Sequence, residues 1–400
     1  MSSLADKPTT AKILAFSLLP VLVVAGLVGT GFVLGRWDAT RHFHRVVERR
    51  ERTETLGGML AVVEDRAFAG WESFTPEQAA RAFYDPARAL AEMDGYAWFS
   101  PTVRTPFVNN NALPGRHASA EINGDQFRWD REVTSPKPAG TYRIFLVGGS
   151  TAFSVGAPDN ARTIGGYLER MLADQVAPKT GRTYEVITAA YPMWATTHER
   201  IEIENRVSEM EPDLVVALSG YNDVVWGAKT RDVLHFWTQV DHYFQNLLDA
   251  GYDKAGIARL PEVEGLEATR VPPETVAARA VKNVRLAAFA LRPTGARYLW
   301  CLQPHVVASH KGLSDRERAF YRHYFGKLGE GSEAYYAAGY AALARAMGAE
   351  DLAGARFEDL TGIFDDLGPT DEVFLDSVHF GDRGNDLVAR AIFGRLGDLP

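Results

Sequence analysis

The stretch "RIFLVGGSTAFSVG", residues 143–156, runs from an unbroken apolar segment into two glycines and then Ser150 and Thr151. Ile144 to Val147 carries no polar residue, as expected of a strand covered on both faces. A strand that ends in glycines and turns into a helix either cradles a phosphate or presents a nucleophile. The phosphate reading fails, because no lysine follows the glycines as a P-loop requires, and G-x-G-x-x-G is absent. The G-x-S-x-G elbow is not met either, since Ala152 stands where its last glycine belongs. What remains is a serine held at a strand end, and its partners must come from elsewhere in the chain.

Further apolar runs follow at 184–190 ("YEVITAA"), 213–220 ("DLVVALSG") and 296–304 ("ARYLWCLQP"), with a weaker one at 355–360 ("ARFEDL"). Helical patterns such as "TIGGYLERMLADQV" separate them. Continuous apolar strands alternating with helices predict an α/β fold with a parallel sheet covered on both faces. In such a sheet the site lies beyond the carboxyl ends of the strands, which is where Ser150 and Asn222 fall. Residues 226–295 form a long, mostly helical insertion before the fourth strand.

A serine nucleophile needs a base, a group that orients the base, and donors for the oxyanion. Near the C-terminus, "VFLDSVHFGDRGNDLVARAIFGRL" places Asp376 three residues before His379, so one loop can carry acid and base. Of the 10 histidines, only His235 also has an aspartate three before it, Asp232, in a helical setting where that spacing merely shares a face. The third strand ends in "SGYND", residues 219–223. Taken alone, such an Asn-Asp pair is a turn; beside Ser150, the Asn222 amide is an oxyanion donor.

These blocks together resemble the SGNH, or GDSL-type, hydrolase family. Gly148-Gly149-Ser150 matches its first block, Gly220-Tyr221-Asn222-Asp223 its third, and Asp376-Ser377-Val378-His379 its last. The resemblance covers roughly residues 141–223 and 371–396. It implies a flavodoxin-like three-layer α/β/α sandwich, with Ser150 as nucleophile, His379 as general base and Asp376 as its orienting partner. The Ser150 N–H and the Asn222 side chain become oxyanion donors. The second block departs from the family pattern. In "TAAYPMWATT", Thr188 stands for Asn, Ala190 for the first glycine and Met193 for the last. A backbone N–H survives any residue but proline, so Met193 can still serve the oxyanion, while the backbone angle that glycine allows is put in question. Met193 and Trp194 either wall the pocket against long acyl chains or pack under the insertion. Gln303, ahead of Pro304 and His305, is a candidate substrate-binding residue or simply a polar strand end.

The 400 residues are 46% hydrophobic and 24% charged, with a net charge of -8, which argues against nucleic acid as a partner. Cys301 is the single cysteine, so no intrachain disulfide forms, and in an apolar strand it reads as a small buried hydrophobe. No cluster has metal-ligand spacing, and no cofactor is expected. Residues 13–35, "ILAFSLLPVLVVAGLVGTGFVLG", carry no charge over 23 positions, above the roughly 20 that span a bilayer. A cleaved signal peptide is the rival, but no A-x-A-like site follows, and a retained single-pass anchor is expected. Gly31 and Gly35 form a G-x-x-x-G that can pair helices weakly.

The expected organisation is a cytoplasmic tail (1–12), a transmembrane helix (13–35), a helical juxtamembrane segment and irregular connection (36–140), and the hydrolase-like domain (141–400) with its insertion. Envelope esters lie outside the cytoplasm, so the resemblance places the domain in the periplasm. Arg36, Arg41, Arg45, Arg49, Arg50 and Arg52 after the span argue the other way under the positive-inside rule. Three functions fit the residues: an esterase removing small acyl groups, acetyl foremost, from a carbohydrate or other envelope ester; an O-acetyltransferase acting on an exopolysaccharide; and a non-catalytic scaffold.

Overall fold

The computed structural model describes residues 76–93, 96, 102–228, 254–256 and 270–399. The apolar stretch 13–35, its basic flank, and His235 with Asp232 lie outside the described residues, as does most of the insertion. Among the described residues no helix is long and apolar enough to cross a membrane. The chain divides into two units, Met1–Val62 and Val63–Pro400, and every described residue belongs to the second.

Four short strands come first, paired as two antiparallel hairpins: β1 (Thr102–Thr105) with β2 (Asn109–Ala112), and β3 (Gly115–His117) with β4 (Ala120–Ile122). Five longer-range strands then build the main sheet: β5 (Thr141–Gly148), β6 (Thr183–Ala190), β7 (Leu214–Ser219), β8 (Arg297–Leu302) and β9 (Arg356–Asp359). All neighbouring pairs are parallel, in the order β6-β5-β7-β8-β9. Counted from β5 this is 2-1-3-4-5, the doubly wound order whose switch point lies between the first and third strands, here β5 and β7. The weak run at 355–360 is the edge strand β9.

Successive residues of a strand face opposite sides of its sheet. Ile144 and Leu146 of β5, with Leu214, Val216 and Leu218 of β7, enter one apolar cluster, while Phe145, Val147, Val215 and Ala217 enter the other. This is why the run at 144–147 contains no polar residue: both faces are dry. Ten helices suffice to place the site: α1 (Pro76–Ala80), α2 (Pro86–Glu92), α3 (Ser150–Phe153), α4 (Ile164–Gln175), α5 (Thr196–Asn205), α6 (Tyr221–Ala228), α7 (Pro273–Leu291), α8 (Asp315–Leu328), α9 (Ser332–Ala349) and α10 (Asp382–Phe393). Ile164, Leu168, Leu172, Val388 and Ile392 bring α4 and α10 to the first face. Ile203, Ala280, Val284 and Leu343 bring α5, α7 and α9 to the second.

The irregular connection expected up to residue 140 is, from residue 102 onward, part of this sandwich. Arg128 donates its backbone N–H to Thr188 O at 3.0 Å and bridges to β6 in antiparallel sense. Phe127 and Trp129 enter the second core cluster, and Val108, Ala112, Ala120 and Ile122 the first. The sequence reads 96–140 as an irregular connection with short strands, and strands of three or four residues carry no periodicity that would set their pairing.

Candidate active site

The site is built where β5, β6 and β7 end. Gly148 has φ 150°, and a Cβ there would collide with the Leu218 carbonyl and with Ala152. A Cβ on Gly149 would collide with the Asn222 amide nitrogen and the Trp194 carbonyl. The two glycines therefore do separate things. The first permits a turn pressed against β7, and the second admits the end of β6 and the start of α6 to within contact of the serine's own backbone. Ser150 opens α3, so its N–H belongs to the first helical turn, which has no intrahelical acceptor.

Ser150 and His379 lie 229 positions apart in the chain, and Ser150 Oγ is 2.7 Å from His379 Nε2. His379 Nδ1 lies 2.6 Å from Asp376 Oδ2. The other carboxylate oxygen, Oδ1, accepts from the backbone N–H groups of Val378 and His379, each at 2.8 Å. Burial of Asp376 opposes its charge, but His379 beside it, the bond between them and the two backbone donors more than offset this. Its pKa lies below the usual carboxylate range. A charged Asp376 holds the proton of His379 on Nδ1, and the Nε2 lone pair then faces the Ser150 hydroxyl.

Asn222, at the start of α6, donates from Nδ2 to Trp194 O at 2.6 Å. One of the two amide hydrogens is spent on holding the side chain in place, and the other is available for a ligand oxygen. Met193, at the end of the second block, has φ 72°. The chain thus adopts at this position the left-handed angle that glycine takes without penalty, at a cost of roughly 1–2 kcal/mol for an L-residue.

Two residues that the sequence left open between substrate contact and packing are buried. Trp194 is 3% exposed, donates from Nε1 to Asn110 O at 3.1 Å, and stacks on His198. Its ring faces the protein interior and only its carbonyl takes part in the site. Gln303 is also 3% exposed and donates from Nε2 to Thr151 Oγ1 at 3.0 Å, while Thr151 Oγ1 reaches Val378 O at 3.4 Å. Gln303 therefore ties the residue after Ser150 to the residue before His379. This buried amide braces the turn that carries Ser150. Cys301 is buried in β8, and burial pushes its thiol up to about 12, so it is inert as a nucleophile.

Sequence reasoning passed over Arg128. Its side chain is buried, and burial pushes its pKa down to about 9. Nη1 donates to Phe153 O at 2.9 Å and Ser154 O at 2.7 Å, and Nε to Asn160 Oδ1 at 3.1 Å. The guanidinium thus covers the carbonyl end of the helix that begins with Ser150, where a cation suits the helix dipole. With its backbone on β6 and its side chain on α3, Arg128 sets the second block against the first. No motif announces it, because its partners are all carbonyl and amide oxygens.

No protein-family model matches the chain, and no curated protein matches its sequence. Solved structures do resemble it in outline. An acetyl xylan esterase, AlAXEase, is 17% identical with a TM-score of 0.36, the match covering 64% of this chain and 99% of that one. TesA is 16% identical with a TM-score of 0.37, covering 64% and 98%. A GDSL-like lipase from Parabacteroides merdae is 13% identical with a TM-score of 0.39, covering 64% and 95%.

Proposed function

We propose that the chain is an SGNH-type serine esterase that removes small acyl groups, acetyl foremost, from a carbohydrate or other envelope ester. One observation carries this reading: the continuous relay from Ser150 Oγ to His379 Nε2 at 2.7 Å and from His379 Nδ1 to Asp376 at 2.6 Å. His379 takes the Ser150 proton as Oγ attacks the ester carbonyl. The carbonyl oxygen gains negative charge and is met by the Ser150 N–H, the Met193 N–H and the Asn222 amide. The tetrahedral intermediate collapses, His379 returns the proton to the leaving alcohol, and an acyl-serine remains. Water, deprotonated by His379, then attacks the acyl carbon and frees the acid and Ser150.

The uncharged residues 13–35 support a membrane anchor, with the catalytic unit on the side where envelope esters lie. A periplasm-dependent reporter fused after Pro400 should be active; silence there, with a cytoplasmic reporter active, would follow the arginine flank instead.

The enzymatic proposal is tested with the full chain in detergent. Wild type should react with a fluorophosphonate and release acetate from acetylated sugars, and Ser150→Ala should do neither while keeping its melting temperature. Labelling that persists in Ser150→Ala moves the nucleophile elsewhere. Adding free sugar acceptors separates the outcomes: acetate release unchanged by acceptor means hydrolysis, and its replacement by acetylated acceptor means transfer.

A further inference from the structure

The geometry points to Met193 and Trp226 as the pair that limits the length of the acyl group, a specificity device that rests on the esterase reading above. Met193 holds a left-handed backbone angle, φ 72°, which glycine would hold without strain. The side chain is therefore kept at the oxyanion corner in spite of the backbone, not because of it. It is partly exposed and packs against buried Ala195 and Trp226, in a small apolar cluster separate from the two cores that flank the sheet. Trp226 follows Asn222 by four positions on α6, so the two share one face of that helix. Asn222 and Trp226 thus project from one face of α6, and Met193 packs against an indole that is 4% exposed. Trp194, the neighbour in sequence, takes no part because its ring is buried the other way.

When the carbonyl oxygen of an ester sits among these donors, the acyl carbon is one bond away. Its substituent then begins within side-chain reach of Met193. On this proposal a methyl group is accepted beside the thioether and the indole edge, whereas a longer chain must displace one of them. An additional methylene that a pocket does not accommodate is discriminated by about 10–200-fold in kcat/KM.

The test is a series of 4-nitrophenyl acetate, butyrate and octanoate on full-length wild type, Met193→Gly, Met193→Leu and Trp226→Leu, with a melting curve for each. Wild type should fall at least about tenfold from acetate to butyrate and further to octanoate. Met193→Gly should lose most of that preference while melting no lower than wild type, because glycine relieves the strained angle. Met193→Leu, which restores bulk, should keep it, and Trp226→Leu should relax it in part. Wild-type rates that are equal on acetate and octanoate overturn the proposal, as does a Met193→Gly profile identical to wild type. No turnover of any ester by wild type would instead sink the esterase reading, and the specificity proposal with it.

Discussion

Two buried aspartates, Asp376 on His379 and Asp223 on Thr196, hold their protons in opposite ways. Asp376 is 8% exposed and its pKa is lowered; Asp223 is 1% exposed and burial pushes its pKa up to about 6. Both are desolvated, so depth alone does not separate them. Asp376 has an imidazole on one oxygen and two backbone N–H groups on the other. Asp223 receives the Thr196 hydroxyl at 2.6 Å and the Thr196 N–H at 3.2 Å. Near it lies Glu199, whose pKa burial raises well above the usual range, with Asp223 adding to the rise. At Asp376 the imidazole and the donors outweigh burial, whereas at Asp223 burial outweighs the Thr196 donors and the charge of Arg279. Three substitutions probe that contrast.

The largest effect is expected at the charged end. Asp376→Asn keeps the size of the side chain but removes the charge that fixes the His379 proton on Nδ1. Turnover should fall on the order of 10³–10⁴-fold, the scale seen when the carboxylate of such a relay is neutralised, with little change in melting temperature. A drop of less than tenfold would mean that His379 is oriented by something other than Asp376.

Arg128→Met comes next. It tests whether a buried cation bonded to carbonyls and an amide, and lying over the Phe153 ring, matters to the Ser150 turn. Turnover should fall about 10–100-fold, as when a supporting contact one step removed from the reacting atoms is lost, with KM close to wild type. Added guanidinium should restore part of the rate in Arg128→Ala. Unchanged turnover in a folded Arg128→Met protein would leave Arg128 a stability residue alone.

The smallest effect belongs to Asp223→Asn, read as stability against pH. The folded pKa of Asp223, about 6, lies above its ordinary 3.8. Between those values the folded state keeps a proton that the unfolded state has lost, so wild-type stability falls as pH rises through this window. The variant has no such slope. It should melt lower than wild type at pH 4, having given one Thr196 donor a poorer partner at about 1 kcal/mol, and the gap should shrink towards pH 7. A gap that widens with rising pH would show that Asp223, like Asp376, has a lowered pKa. Asp376 contributes in the reverse sense: its stabilisation is present above the ordinary 3.8 and is lost as pH falls through its lowered folded value.

Much of the scaffold was legible because it is written in local patterns. The apolar runs at 142–149, 184–190, 213–220 and 296–304 became β5 to β8 within about two residues of their expected ends. Asp376 and His379 share a loop, so their spacing alone brought them together. Short strands were expected between 96 and 140, but not their pairing into two hairpins, because strands of three or four residues carry no usable periodicity. Arg128 was missed for a related reason: an arginine that binds only carbonyl and amide oxygens leaves no charged partner in the sequence to pair it with.

The sequence by itself determined the succession of strands and helices along the chain and the glycine turn under Ser150, since each depends on a few neighbouring side chains and on backbone sterics; the residues that meet Ser150 were expected from the resemblance in motif order. Only the tertiary structure decided that the Trp194 ring turns inward while Trp226 turns towards Met193, that Gln303 braces Thr151, and that Asp376 and Asp223 hold their protons oppositely. Side-chain direction in a loop and proton affinity in an interior depend on which groups from distant parts of the chain arrive beside them, and arrival is a property of the packed fold.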